Sequence, residues 1–491
     1  MLSTRTFCQL WLFPALTLLL TAHSLAADEA SFGPLFQQFK LTLDAGRRTE
    51  AVGPLYYEQE VGEGDKPTRL WAAPPLFSYT LNEDLDYEQF DFLWKGISYD
   101  RFGDEYRWQI LELFNFAGGR TQSETNVHRT TLFPIYFQQR SRIPERNYTA
   151  LVPIYGTIKQ RLFRDQIRFV LFPAYVQSRK RDLVTDNYLY PVFHWRRGEG
   201  LRGWQAWPLL GQEHKEVTTK TNSWGDLETS GGHDKFFALW PLFFNQRTGI
   251  GTDNAAHQQA LLPFYNYLRS PQRDSTSYLW PLGVTHTEDR EKDYAEWGAP
   301  WPLVVFARGR GKTTSRVWPF FSRSHNAAQE SDWYLWPVYK YNRLHSDPLD
   351  RERTRILFFL YSDVSVKNTE TGGRLRQIDF WPLFTSRRDL EGRARLQILS
   401  LLEPFLPNNS SVERDLAPLW SLWRSERNPK SGAASQSLLW NLYRRERAGE
   451  LRKCSLLFGL FQYQSGPEGR RWRVFYLPFG KSRQANQPAS G

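Results

Sequence analysis

The sequence predicts an all-β protein: a long antiparallel up-and-down meander of about 20–24 strands closed into a large barrel, with a β-solenoid as the alternative arrangement. Three observations predict it. A short apolar unit, written out in Phe236-Phe237-Ala238-Leu239-Trp240-Pro241-Leu242-Phe243-Phe244, returns from one end of the chain to the other at a stride of about 20 residues, and self-similarity at such a period marks a repeat architecture. Each unit holds five to nine residues rich in Trp, Phe, Tyr, Val, Ile and Leu between polar segments, which is short for a helix and suits a strand. Turn-forming sequences lie midway between successive units, where hairpin reversals belong.

Taken in order, the units open at Pro34, Pro54 and Pro75, continue without proline at Phe92-Leu93-Trp94 and Leu113-Phe114-Asn115-Phe116, and resume at Pro134, Pro153, Pro173, Pro191 and Pro208. After a wider gap come Pro241, Pro263, Pro281, Pro302, Pro319 and Pro337, a proline-free Leu357-Phe358-Phe359-Leu360-Tyr361, and Pro382. Looser copies follow, among them Leu402-Glu403-Pro404-Phe405, Ala417-Pro418-Leu419-Trp420 and Tyr476-Leu477-Pro478-Phe479. The intervening turn signals include Gly198-Glu199-Gly200, Gly251-Thr252-Asp253-Asn254, Pro271-Gln272-Arg273-Asp274, Gly309-Arg310-Gly311 and Thr371-Gly372-Gly373. With one reversal per unit, each strand would keep roughly 13 to 18 residues, on the order of 45 to 60 Å. The aromatic-proline pairs Trp207-Pro208, Trp240-Pro241, Trp280-Pro281, Trp318-Pro319, Trp336-Pro337 and Trp381-Pro382 would then form a structural belt, level around the sheet.

The chain divides into a signal peptide over residues 1–26, one β-repeat domain over 27–480 and a polar tail over 481–491. Arg5, the apolar run from Leu10 to Leu20 and the small-x-small Ser24-Leu25-Ala26 carry the first assignment. Losing that leader removes one arginine and no acid, lowering the formal charge from +11 to +10. A single cysteine, Cys454, remains, so no internal disulfide forms in the oxidising compartment the leader implies. Aromatic residues make up 16% of a chain whose mean hydropathy is -0.57, so the apolar content is banded. No stretch after the leader reaches 18 consecutive apolar residues, which excludes membrane-crossing helices and leaves strands as the only means of insertion.

Two features strain a porin-like reading. Around Pro173 both parities are apolar, Phe169, Leu171 and Tyr175 on one and Val170, Phe172 and Val176 on the other. This implies apolar faces on both sides of the sheet, and either a flattened or curled sheet packed on itself or an interior filled by the long segments or by an apolar ligand such as lipid. Proline also deletes a ladder donor in nearly every unit, so each unit needs a kink or bulge there.

The sequence supplies no catalytic, cofactor-binding or metal-ligating residues, and a non-enzymatic protein is expected. Gly309-Arg310-Gly311-Lys312-Thr313-Thr314 lacks the first glycine of a phosphate loop, since Phe306 stands there, and Lys312 reads as a turn cation. His194, His214, His233 and His286 are scattered near strand ends. The acid pairs Asp84/Asp86 and Glu288/Asp289 sit in charged turns with nothing to desolvate them. Basic segments such as Arg179-Lys180-Arg181, Arg387-Arg388, Arg444-Arg445-Glu446-Arg447 and Arg470-Arg471-Trp472-Arg473 lie just beyond the aromatic units.

The Trp-Pro-Leu-Phe/Tyr repeat resembles that of secreted bacterial proteins, and more loosely outer-membrane β-barrels; the resemblance covers almost the whole chain after the leader. It implies architecture and location and brings no catalytic residues. The expected function is a non-enzymatic outer-membrane barrel-type protein of a Gram-negative bacterium, with a structural, pore or lipid-handling role, or else a soluble periplasmic or surface protein binding lipid or anionic glycan. Outer-membrane lipid or lipopolysaccharide is the expected partner, with anionic polysaccharide second; nucleic acid is disfavoured by secretion.

Overall fold

A computed structural model describes residues 31–479 apart from 63–65, 121–126, 222–224, 226, 408 and 468. The expected leader and polar tail lie outside the described residues. The described residues form an antiparallel meander, with 44 strands in one sheet and a small separate hairpin, Thr218–Thr221 with Leu227–Ser230. That hairpin occupies the wider gap before Pro241. The all-β meander predicted from the repeat holds.

Strand number and length differ from expectation because each repeat unit reverses twice. The strands Tyr175–Lys180, Leu183–Tyr188, Phe193–Gly198 and Leu201–Ala206 are six residues each. Two-residue turns at Arg181-Asp182 and Glu199-Gly200 alternate with the four-residue turn Leu189-Tyr190-Pro191-Val192. Two six-residue strands, a four-residue turn and a two-residue turn account for the stride of 18 between Pro173 and Pro191. The aromatic-proline motif is therefore a turn, not the middle of a long strand, and the predicted belt of mid-strand bends is absent. The physical reason is proline itself: a missing N–H breaks a ladder in a central strand but costs nothing at a reversal. Proline-free units such as Leu357–Leu360 and Leu439–Leu442 are turns at the same rim.

All hairpins stand level. Followed from partner to partner, one row of facing residues runs through Trp195, Trp204, Gln212, Phe236, Asn245 and Gln259, and the same register continues in both directions, through Tyr99 and Trp108 and through Tyr463 and Trp472. Closed transmembrane barrels stagger their strands and tilt them by roughly 35–45°. Here the strands accumulate no stagger. At about 4.8 Å per strand and 3.3 Å per residue, the sheet is a ribbon on the order of 200 Å long and about 20 Å tall.

The ribbon curls until its ends meet face to face. Thr42 Oγ1 lies 2.6 Å from Ser435 Oγ, Asn441 Nδ2 donates to Glu50 Oε2 at 3.1 Å, and the Arg444 guanidinium sits 3.7 Å from the centre of the Phe39 ring. Among the described residues no ladder joins the first strand, Ser31–Phe32, to the last, Leu477–Phe479, and side chains rather than backbone hydrogen bonds bring the two ends of the sheet together. Both edge strands are very short, which limits edge-to-edge association, and Phe32 packs on Tyr476 with ring centres 5.8 Å apart.

Residues 399–407 and 409–422, between the paired strands Ala394–Ile398 and Trp423–Asn428, leave the proline rim and fold across the inner face with a helical segment over Val412–Trp420. The units at Pro404 and Pro418, expected as strands, belong to this insertion. Its buried Asp415 bonds the Tyr57 hydroxyl, and its Arg414 carbonyl accepts from Arg48 Nη1 at 3.1 Å, so the insertion wedges the seam.

The two faces are chemically distinct, against the expectation that both are apolar. In Val284–Asp289 the exposed residues are Val284, His286 and Glu288, while Thr287 and Asp289 are buried. The less exposed face is the one turned toward the seam contacts, and so is concave. It is largely polar, with Ser275–Thr287 at 2.8 Å, Ser277–Thr285 at 3.0 Å and Thr314–Ser324 at 2.9 Å bridging neighbouring strands. The four turn residues had interrupted the alternation and disguised it in the sequence. An apolar patch on this face, Phe137, Tyr148, Ala150, Ile158 and Phe169, is local.

Within that patch Gly156 faces Ala150, and a Cβ at Gly156 would lie 2.2 Å from the Ala150 Cα. Gly156→Val is expected to lower stability by about 3 kcal/mol through overpacking. The check is urea denaturation, with Ala150→Gly in the same chain recovering part of the loss.

Candidate functional site

With both faces of a thin ribbon open, many large apolar side chains stand exposed, and they collect along one rim. The proline turns carry exposed Leu76, Phe133, Ile154, Leu209, Leu242, Leu282, Phe320 and Leu383. The first row of the convex face continues the band with exposed Phe193, Leu210, Tyr278 and Val284. Patches on soluble monomers seldom exceed a few hundred Å² without a binding role.

The predicted belt residues all lie in this rim. Trp207, Trp240, Trp280, Trp318 and Trp336 are exposed and Trp381 is half-buried. Trp207 and Trp240 approach with ring centres 6.4 Å apart, and Trp381 packs edge-on against Phe359 at 5.7 Å. The others are held in line by backbone rather than by contact with each other.

Several of the proline turns satisfy their own backbone N–H groups. In the turn Leu239–Leu242, Leu239 N donates to Leu209 O at 2.6 Å, Trp240 N to Pro208 O at 2.7 Å and Leu242 N to Leu239 O at 2.7 Å; Pro241 has no N–H. The turn Leu335–Val338 repeats this with Phe320 O, Pro319 O and Leu335 O as acceptors. These two proline turns thus extend the ladder into the turn of the preceding hairpin, and proline deletes the donor that would otherwise lack a partner.

A second feature was invisible in the sequence. Leu171, Leu239, Leu279 and Leu335 adopt left-handed backbone with φ of 47°, 47°, 55° and 45°, and are 62%, 56%, 65% and 59% exposed. Glycine or asparagine would suit that conformation, and an ordinary side chain there costs roughly 1 kcal/mol. Leucine gains no burial in return, so neither local conformation nor packing within the chain explains its repeated presence.

The opposite rim is charged. Along the convex row nearest it, Arg179, Arg197, Arg202, Arg247 and Arg269 recur at or near the glycine turns. Ion pairs such as Arg343–Asp350 at 2.8 Å and Arg290–Asp274 at 2.6 Å decorate it. Of the basic segments picked out in the sequence, Arg179-Lys180-Arg181, Arg387-Arg388, Arg447 and Arg470-Arg471 lie at this end of the strands, whereas Arg444 and Arg473 lie toward the proline rim and Arg445 stands mid-strand in the row of Trp472. The molecule is polarised along its strands, apolar at one rim and arginine-rich about 20 Å away.

The seam holds a cavity of about 420 Å³ whose lining includes Arg48, Glu50, Arg395, Glu413, Arg424 and Glu426. Its carboxylates are committed to arginines: Glu50 to Arg48 at 2.8 Å, Glu426 to Arg424 at 2.8 Å and Arg395 at 3.0 Å, and Glu413 to Arg395 at 3.1 Å. Burial alone would raise the Glu426 carboxyl, but Arg424 and Arg395 outweigh it and hold it down at about 2. These groups clamp the seam and present no free general acid or base.

The remaining chemical candidates are structural in placement. Lys312 pairs with Glu296 at 2.6 Å and lies over the Tyr294 ring. Glu288 and Asp289 point to opposite faces, and Asp86 pairs with Arg101 at 3.1 Å. His214 pairs with Asp234, His233 with Glu213 and His286 with Glu288. Burial, helped by Arg196, keeps His194 neutral by lowering it to about 4. Among the described residues no group of three or more His, Cys, Asp or Glu side chains is placed to hold a metal ion, and no helix is long and apolar enough to cross a membrane. No protein-family model matches the chain, and comparison with curated proteins finds no similar sequence.

Proposed function

We propose that this is a non-enzymatic, membrane-associated β-shell of the bacterial outer membrane, exported across the inner membrane, with outer-membrane lipid or lipopolysaccharide as its partner and a structural role. The observation that carries the reading is the division of the sheet: an exposed aromatic and aliphatic rim with the first convex row beside it, against a largely polar, hydrogen-bonded concave face. That is the apolar-out, polar-in order of a membrane β-protein. A mostly polar inner face also favours a water-filled interior over one that carries apolar cargo, which sets lipid transport inside the shell behind a scaffolding role. Separation of cell envelopes on a density gradient tests the reading. The protein is expected to sediment with outer-membrane markers and to resist release by high salt; full recovery in the soluble periplasm would sink it.

A further inference from the structure

Taking membrane association as its premise, we infer a mode of insertion: the proline rim enters the hydrocarbon of a single anionic leaflet, and the convex arginine row stops at its phosphates, so that the shell stands on the membrane without crossing it. Four observations meet in this assignment. The tip leucines hold an unfavourable left-handed backbone while more than half exposed, which a leucine retains only if something outside the chain covers it. In the turns Leu239–Leu242 and Leu335–Val338 every N–H bonds to the neighbouring turn or within its own turn, and proline carries none, the condition for placing backbone in lipid.

The third observation is height. From the turn tips through the apolar first convex row to the second row, where Trp195 and Trp204 stand among polar residues such as Gln212, Asn245 and Arg323, is roughly 12 Å, and the arginine row follows at about 18 Å. Half a bilayer offers about 15 Å of hydrocarbon with headgroups beyond it. One leaflet therefore takes the apolar band and brings the arginines level with phosphate, whereas a crossing would carry them toward the midplane. The fourth is the absence of stagger between strands, unlike the inclined strands of a barrel that crosses.

The test uses the chain from residue 27 onward, carrying Cys454→Ser, with vesicles of phosphatidylcholine and phosphatidylglycerol. A fluorophore is placed at the proline rim through Leu239→Cys or at the glycine rim through Asp253→Cys. The label at position 239 is expected to be quenched by nitroxides deep in the acyl chains, and the label at 253 by iodide added outside intact vesicles. A chain combining Leu171→Asn, Leu239→Asn, Leu279→Asn and Leu335→Asn is expected to keep its circular dichroism and unfolding midpoint, since asparagine suits those turns, while its vesicle partition coefficient falls at least about tenfold.

Three results would overturn the inference: iodide reaching position 253 only after the vesicles are permeabilised, position 239 remaining open to iodide on floated protein, or unchanged partition of the asparagine chain. Location is read separately. Outer-membrane recovery with an iodide-accessible position 239 would leave the proposed function standing and remove the insertion mode; soluble recovery with deep quenching at 239 would do the reverse.

Discussion

Introducing Thr42→Cys and Ser435→Cys together, with Cys454→Ser, is expected to yield a spontaneous cross-link and a large gain in stability. The two hydroxyl oxygens are 2.6 Å apart across 393 residues of chain, close to the ~2 Å of an S–S bond. Closing so long a loop removes chain entropy worth on the order of 5–6 kcal/mol from the unfolded state. Non-reducing electrophoresis reads the bond, and urea denaturation with and without reductant reads the gain. A pair that stays reduced under mild oxidant would show that the two ends of the ribbon do not meet in solution, and the shell would then be an open sheet.

The largest expected loss comes from the same seam. Glu426→Gln leaves the Arg424 and Arg395 guanidiniums without their shared carboxylate, and removing one partner of a buried ion pair costs about 3–5 kcal/mol. Arginine starts so far above neutrality that burial of Arg424 does not discharge it. The pH dependence has a definite sign. The Glu426 carboxyl is held at about 2, below the roughly 4.3 of an unfolded chain, so its contribution is complete above the unfolded value and is lost as pH falls toward the folded one. Urea denaturation should therefore show a full gap between the parent and the Glu426→Gln chain at neutral pH, narrowing between about pH 4.5 and pH 2. A gap that stayed constant through that window would assign the loss to something other than the charge.

The seam was not legible in the sequence for a simple reason. Glu426, Arg395 and Arg48 look like ordinary charged residues of polar strand segments, and only the curl of the whole ribbon brings residues 39–57 against 395–444. The proline motif was legible as a repeat but misleading as to position. Trp240-Pro241 was found readily, yet an apolar run over Phe236–Phe244 looks the same whether a strand passes through it or turns within it. The ladder donor that proline lacks was the available signal for a turn.

What the sequence determined by itself is the local grammar. Strand-forming runs between glycine turns and proline turns impose an antiparallel β-meander, and the stride of Pro173, Pro191 and Pro208 sets the length of the hairpins. What only the tertiary structure decided is the direction of curl, and with it which face became the concave, polar one and which rim was left apolar. The reason is physical: alternation assigns residues to two faces, but which face lies inside depends on the summed curvature of 44 level strands and on where the two ends of the ribbon find partners. Those partners, Thr42 with Ser435 and Glu50 with Asn441, lie nearly the full length of the chain apart.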